Sequence, residues 1–389
     1  MHDDRSGRLT LHYIRFGAFL TIALIVGGFL AKLLGFVTVQ TDAPVDAPTF
    51  ALTASHFAPF EGVDEAGAAA GQVQPAALEG TLERPLRIAG PLRATMAPIA
   101  VLSAEEPGSV EWVRIDDRLG RYEALQRGEV DLIWESLPGF AEAVHRLQVL
   151  PLEARVVALV GQSRGADALV GRAASEELRL TAQRTALEAF SPAHFLFLHR
   201  LTRTEVTGEV KARVLRDQLT LTGSPKAAVE RWNEGDVRVL GGSEPALPLA
   251  FTGEGPELFR MDTSVGPERI DEVLIAHPSV LEAAPGALAA VVAGWQAASQ
   301  RLAKMPLDGF DLLVGEMGLT EEQAERMIEG VAFATPTMSA SFFEGQGASR
   351  LEAAQGIWMA EGSIRQVLPA DRWIDGRFQP VPEAAATAR

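Results

Sequence analysis

Val156-Val157-Ala158-Leu159-Val160-Gly161-Gln162-Ser163-Arg164-Gly165-Ala166-Asp167-Ala168-Leu169-Val170 is the stretch on which the reading of this chain turns. A short apolar run, a Ser between glycines and a second apolar run match the Gly-x-Ser-x-Gly signature of a nucleophile elbow. The same residues read equally as a strand that ends in a loop. A hydrolase of this kind needs a His base and an acid later in the chain. His277, in Ala276-His277-Pro278, is the candidate base, with Asp262 or Asp271 as the acid. Two features weigh against it: no His-Gly-Gly-type oxyanion loop precedes Ser163, and a long stretch of chain follows His277.

Composition narrows the field. The 389 residues have room for one large or two moderate domains with a sizeable core. A formal net charge of -16 with no compensating basic stripe excludes nucleic acid as a partner. Cysteine is absent, which removes disulfides, zinc-thiolate sites and thiol nucleophiles and suits an oxidising compartment. The histidines are scattered, and His194 and His199 miss the one-face helical spacing of a zinc pair. No metal or cofactor is expected.

Phe16 to Val39 is apolar apart from its threonines, glycines and Lys32, and as a helix would run about 36 Å, enough to cross a bilayer. Lys32 sits near one end and can snorkel to the headgroups. Arg5, Arg8 and Arg15 precede the segment, so residues 1–15 are expected in the cytoplasm. A cleaved signal peptide would have a shorter apolar core and a small-x-small site, and neither is present. The expectation is an uncleaved anchor over 16–39. Residues 40–85, rich in Ala, Pro, Gly and acids, then read as a flexible linker.

From Pro85 onward strands and helices alternate, the pattern of an α/β fold with parallel sheets. Strands are expected over Leu86–Ala89, Val110–Ile115, Val130–Trp134, Val156–Val160, Leu219–Thr222, Val237–Leu240 and Ile270–Ala276. A helix over Tyr122–Arg127 stops at Gly128, and another starts at Ser191-Pro192 with the Ser as N-cap.

Several separated segments carry a resemblance. They are Ile115-Asp116-Asp117 with Ala124-Leu125-Gln126-Arg127-Gly128-Glu129-Val130-Asp131-Leu132, then Ser163-Arg164-Gly165-Ala166-Asp167-Ala168-Leu169-Val170. Ser191-Pro192-Ala193-His194-Phe195-Leu196, Asp271-Glu272-Val273-Leu274-Ile275-Ala276, and Gly330-Val331-Ala332-Phe333 leading to Phe342-Phe343 follow in order. On these pieces the chain resembles the substrate-binding proteins of nitrate, sulfonate and taurine ABC transporters. It is most similar to the membrane-anchored subgroup labelled phosphate ABC transporter substrate-binding proteins, without that subgroup's OmpA-like domain. It departs from the pattern at Ala189-Phe190, where a Gly-rich loop would run.

The resemblance implies a periplasmic-binding-protein-like type II fold, two lobes joined by two crossover segments. Lobe one would comprise 86–170 and 266–378, lobe two 171–265, and the tail 379–389. It implies no enzyme but a tethered protein of the bacterial inner membrane, its bulk periplasmic. Such a protein captures a small anionic solute and hands it to an ABC permease and ATPase, with closure by a hinge motion. Open α/β sheets bind ligands at the carboxyl ends of their strands. The expected ligand residues are therefore Arg93, Thr95, Glu135, Ser136, Ser163, Arg164, Asp167, Ser191, His194 and Ser243. Arg93 and Arg164 offer bidentate forks for an oxyanion. Arg164 also reads as a partner of Asp167, Ser191 and His194 as an ordinary helix start, and Trp134 as core. Glu135 and Glu244 would instead suit an amine-bearing ligand. Two alternatives stay open beside transport: a degenerate binding fold serving as an envelope sensor or scaffold, and a serine hydrolase built on Ser163.

Overall fold

The apolar runs pair into two sheets, and capped helices cover them. A computed structural model describes residues 83–146, 153–172, 180–244, 247, 259–264, 269–304, 311, 313–315 and 318–380. The expected anchor 16–39, the N-terminal residues 1–15, nearly all of the linker and most of the tail lie outside the described residues. Among the described residues no helix is long and apolar enough to cross a membrane.

In chain order the strands are β1 (Leu86–Gly90), β2 (Val110–Arg114), β3 (Leu132–Ser136), β4 (Arg155–Ser163), β5 (Asp167–Gly171), β6 (Thr185–Glu188), β7 (Leu219–Thr222), β8 (Val239–Ser243), β9 (Phe259–Asp262), β10 (Ile270–Ala276) and β11 (Val331–Phe333). The first sheet runs β11-β4-β10-β3-β1-β2 and the second β7-β6-β8-β5-β9. The chain leaves the first sheet between Ser163 and Asp167 and returns between Asp262 and Ile270. Residues 167–170, expected in lobe one, thus belong to the second sheet.

Neither sheet is purely parallel, which corrects the sequence expectation. β1 pairs in parallel with β2 and β3, whereas β10 runs antiparallel to both β3 and β4. In the second sheet β5 is antiparallel to β8 and to β9. The chain leaves at the end of β4 and re-enters at that same end, Ile270 beside Ser163, so β10 runs back against its neighbours.

The helices are α1 (Pro98–Glu105), α2 (Arg118–Gln126), α3 (Leu137–Ala143), α4 (Pro192–Thr202), α5 (Gly208–Asp217), α6 (Pro225–Asn233), α7 (Pro278–Ala283), α8 (Pro285–Lys304), α9 (Glu321–Glu329), α10 (Pro336–Ser341) and α11 (Gly347–Glu361). Ser136, Ser191, Ser224 and Thr335 each accept a backbone N–H at a helix start, with a Pro in the first turn. Gly128 follows α2 with φ +66°, the left-handed turn that ends a helix.

One core group lies between the first sheet and α1 and α8, around Met96, Trp134 and Trp295. A smaller one, around Trp232, belongs to the second sheet. The largest group reaches both sheets, joining Ile133 and Phe140 to Leu169, Leu187 and Leu196. Trp358 of α11 is its bridge. The indole donates to Pro138 O of α3 at 2.7 Å, and its ring packs on Phe195 and His194 of α4. The two halves therefore share a closed apolar interior.

Candidate functional site

Arg93 precedes a single helical turn, Ala94–Met96, with extended backbone that turns its side chain inward. The guanidinium is buried. Its Nη2 donates to Glu272 Oε1 at 2.5 Å and to Asp167 Oδ2 at 3.2 Å, and the group lies 5.0 Å from the Trp134 ring centre. Glu272 belongs to the first sheet and Asp167 opens the second. Thr95 Oγ1 donates to Glu272, Trp134 Nε1 donates to Thr95 Oγ1, and Ser243 Oγ donates to Asp167. Ser163 Oγ accepts the Asp167 N–H at 3.2 Å and shares a 2.8 Å hydrogen bond with Thr263.

Half of the expected ligand residues thus meet in one network: Arg93, Thr95, Ser163, Asp167 and Ser243. The open oxyanion fork expected of Arg93 is not there, because two carboxylates already occupy it. Burial works against the Arg93 charge, but Asp167 and Glu272 outweigh it and raise its pKa. Burial, together with repulsion from Asp167, raises Glu272 despite Arg93 beside it. One cation for two carboxylates leaves Glu272 under-compensated.

A second network gathers around Arg118, the first residue of α2. Its Nε donates to Glu135 Oε2 at 3.0 Å, and its Nη2 donates to Gly139 O at 2.7 Å and Glu142 Oε2 at 3.3 Å. The same guanidinium lies 5.7 Å from the Phe190 ring centre, and Arg146 covers that ring at 4.5 Å. Arg118 therefore joins the start of α3, at Glu135-Ser136, to the start of α4, at Phe190-Ser191. Ser136 Oγ donates to Glu135 Oε1 and Ser191 Oγ to Glu188 O. Glu188, at the end of β6, is pushed up to about 7 by burial, with Arg121 pulling down and Glu135 pushing up.

Phe190 holds a left-handed backbone, φ 60°, costly for a residue with a Cβ. His194 Nδ1 accepts the Phe190 N–H at 3.0 Å and fixes that turn. Burial alone depresses His194 to about 3, so it stays neutral and lies behind Phe190 as a support. Phe190 is where the resemblance would put a Gly-rich loop, and its ring packs on Trp358 and His194.

Arg164 stands apart from both networks. It is exposed, and its backbone N–H donates to Gly330 O at 2.7 Å, as does that of Ala166 at 2.9 Å. A Cβ on Gly330 would sit 2.9 Å from the Ala166 nitrogen, so only glycine allows that approach.

The Gly-x-Ser-x-Gly stretch has a packing explanation. A Cβ on Gly161 would meet Thr95 Cγ2 at 2.7 Å and Ala332 O at 2.8 Å, and Gly165 adopts φ +120°. Ser163 pairs with Ile270 at one end of β10, while His277 follows Ala276 at the other, about 20 Å away at strand rise. His277 instead caps α7, its Nδ1 accepting the Ser279 N–H at 3.1 Å. The hydrolase pairing does not form.

Sequence reasoning missed Glu272, Thr263, Arg118, Glu188 and Phe190 as members of these networks. Asp271-Glu272 in an otherwise apolar strand was the available signal, since buried charge requires partners.

No family model matches the chain, and no curated protein matches it. Solved structures do. The alkanesulfonate-binding protein SsuA of Xanthomonas axonopodis pv. citri, bound to MOPS, aligns with TM-score 0.59 and 17% identity over 76% of this chain and 99% of that one. A zinc-bound ligand-binding component of an ABC-type import system from Staphylococcus aureus aligns with TM-score 0.60 and 12% identity over 76% and 98%. A Candida albicans protein described as having the generic periplasmic binding protein fold aligns with TM-score 0.56 and 11% identity over 77% and 98%. At such identities the likeness is one of fold, and the fold is the α/β periplasmic-binding-protein type.

Proposed function

We propose that this chain is the extracytoplasmic solute-binding component of an ABC-type import system, moored by residues 16–39 in the bacterial inner membrane. Lobe one comprises about 86–166 and 266–378, lobe two about 167–265. The observation that carries the reading is the meeting of two capped helix starts, at Ser136 and Ser191, across Arg118. Helix N-termini brought together beside a guanidinium suit the acidic head of a small solute. Glu135 and Glu142 hold Arg118 until such a head displaces one of them. Glu188 beside it, raised to about 7 by burial, carries only part of its charge near neutral pH and so repels an incoming anion less. The permease and ATPase are the implied partners.

A second reading is favoured by one observation. Arg93 ties the sheets together through Asp167, and Trp358 closes a common interior beneath them. A binding fold locked in this way suits a sensor or scaffold of the cell envelope. Native mass spectrometry of the freshly purified full-length chain separates the two. One small molecule bound per chain, lost on Arg118→Ala, supports solute binding. A chain free of small molecules, unshifted in melting by anions, sulfonates and amines, supports the scaffold.

A further inference from the structure

Away from Arg118, a cavity of about 470 Å³ opens beside the two crossings, with Arg164, Arg269 and Arg350 in its wall. Arg164 lies on the outgoing crossing and Arg269 immediately precedes β10 on the return. Ser163 pairs with Ile270, so these two arginines leave the ladder side by side. Both are exposed, and neither has an ion-pair partner among the described residues. Like charges at facing positions of neighbouring strands repel and destabilise. In a chain of net charge -16, acids to relieve that repulsion are plentiful, yet the described lining holds no Asp or Glu.

The third arginine shows what the cavity lacks. Arg350 Nη1 donates to both oxygens of Asp271 at 2.8 Å, and Gln162 Nε2 donates to the same carboxylate at 2.7 Å. Asp271 is thereby engaged by Arg350 and Gln162, and among the described residues no acid compensates Arg164 and Arg269. The rest of the wall mixes apolar side chains such as Ile328, Phe333 and Met338 with Thr335, Thr337, Ser341 and Gln346. A cationic rim beside apolar patches in a mixed wall suits an amphiphilic guest.

We propose that this cavity binds a small organic anion, its oxyanion head between Arg164 and Arg269 and its apolar body against Phe333 and Met338. The site is separate from the residues around Arg118. Because its two arginines sit on the two crossings, an occupant bridges both.

Isothermal titration calorimetry of the purified full-length chain tests this with hexanoate, acetate and hexylammonium as probes. Hexanoate is expected to bind at one per chain, acetate at least tenfold more weakly, and hexylammonium not at all. Arg164→Ala and Arg269→Ala should each weaken hexanoate about tenfold, the loss of one charge-assisted hydrogen bond. Both side chains are exposed, so folding is unaffected, and an unchanged melting temperature checks it. Hexanoate binding retained in Arg118→Ala marks the cavity as a second site. Hexanoate binding that survives both substitutions, or fails in the wild type, overturns the proposal and leaves the Arg118 reading standing.

Discussion

Arg93 reaches from the loop after β1 to Asp167, the first residue of β5, with nitrogen–oxygen separations of 3.2 to 3.4 Å. One buried ion pair therefore fastens the two sheets to each other beside the outgoing crossing. Arg93→Ala leaves Asp167 and Glu272 buried without their cation, which should destabilise the protein by roughly 3–5 kcal/mol. Urea unfolding measures this, and a loss below about 1 kcal/mol would contradict the fastening.

Glu188 makes stability depend on pH in the alkaline direction. Its folded pKa of about 7 lies above its ordinary value, so the protonated form is preferred in the fold. The associated stability is fully present below pH 4.5 and is lost as pH rises through 7. Glu188→Gln should raise stability at pH 8 by about 2 kcal/mol and have little effect at pH 5. Equal effects at both pH values would count against a buried, proton-bearing Glu188.

His194 acts in the opposite direction. Its folded pKa of about 3 lies below its ordinary value, so the neutral ring is preferred. The stability it contributes is present above pH 6.5 and lost as pH falls toward 3. NMR titration should find its imidazole neutral at pH 5, where an exposed histidine is protonated. A midpoint near 6.5 would place His194 in solvent rather than behind Phe190.

Gly161 and Ser163 give a paired test of the motif. Gly161→Ala forces a Cβ against Ala332 O and should cost about 1–3 kcal/mol through overpacking. A fluorophosphonate should leave Ser163 unlabelled, because its hydroxyl bonds Thr263 and the Asp167 N–H while His277 follows the far end of β10. Stoichiometric labelling at Ser163 would restore the hydrolase.

Removing the Trp358 indole should cost about 3–5 kcal/mol as a large cavity. Trp358→Ala should also lower the unfolding of both halves together, as one transition by calorimetry and by hydrogen exchange. Separate melting of the second sheet would show that the common interior around Trp358 does not couple them.

The strand positions were legible because apolar runs such as 156–160 and 270–276 are bounded by Gly, Pro and capping residues. Ser191-Pro192 announced its helix for the same local reason. Strand direction was not legible, since it depends on where the chain crosses between sheets. The expected ligand residues were found at strand ends, yet their pairing was hidden. Arg93 reads as a free cation until the fold brings Asp167 and Glu272 to it from distant positions. Phe190 was visible as a departure from a Gly-rich loop, but its left-handed backbone and its support by His194 are tertiary facts. Arg118 gave no signal beyond following Asp117, an N-cap.

The two N–H groups on Gly330 O anchor the outgoing crossing to the segment that enters the strand next to β4. Gly330 leads straight into β11, the sheet's outermost strand. Any rotation of one half against the other would pull on that carbonyl and tug the rim strand with it. An internal change of angle would in this way be written onto an outer edge of the molecule, where a neighbouring protein has backbone to read.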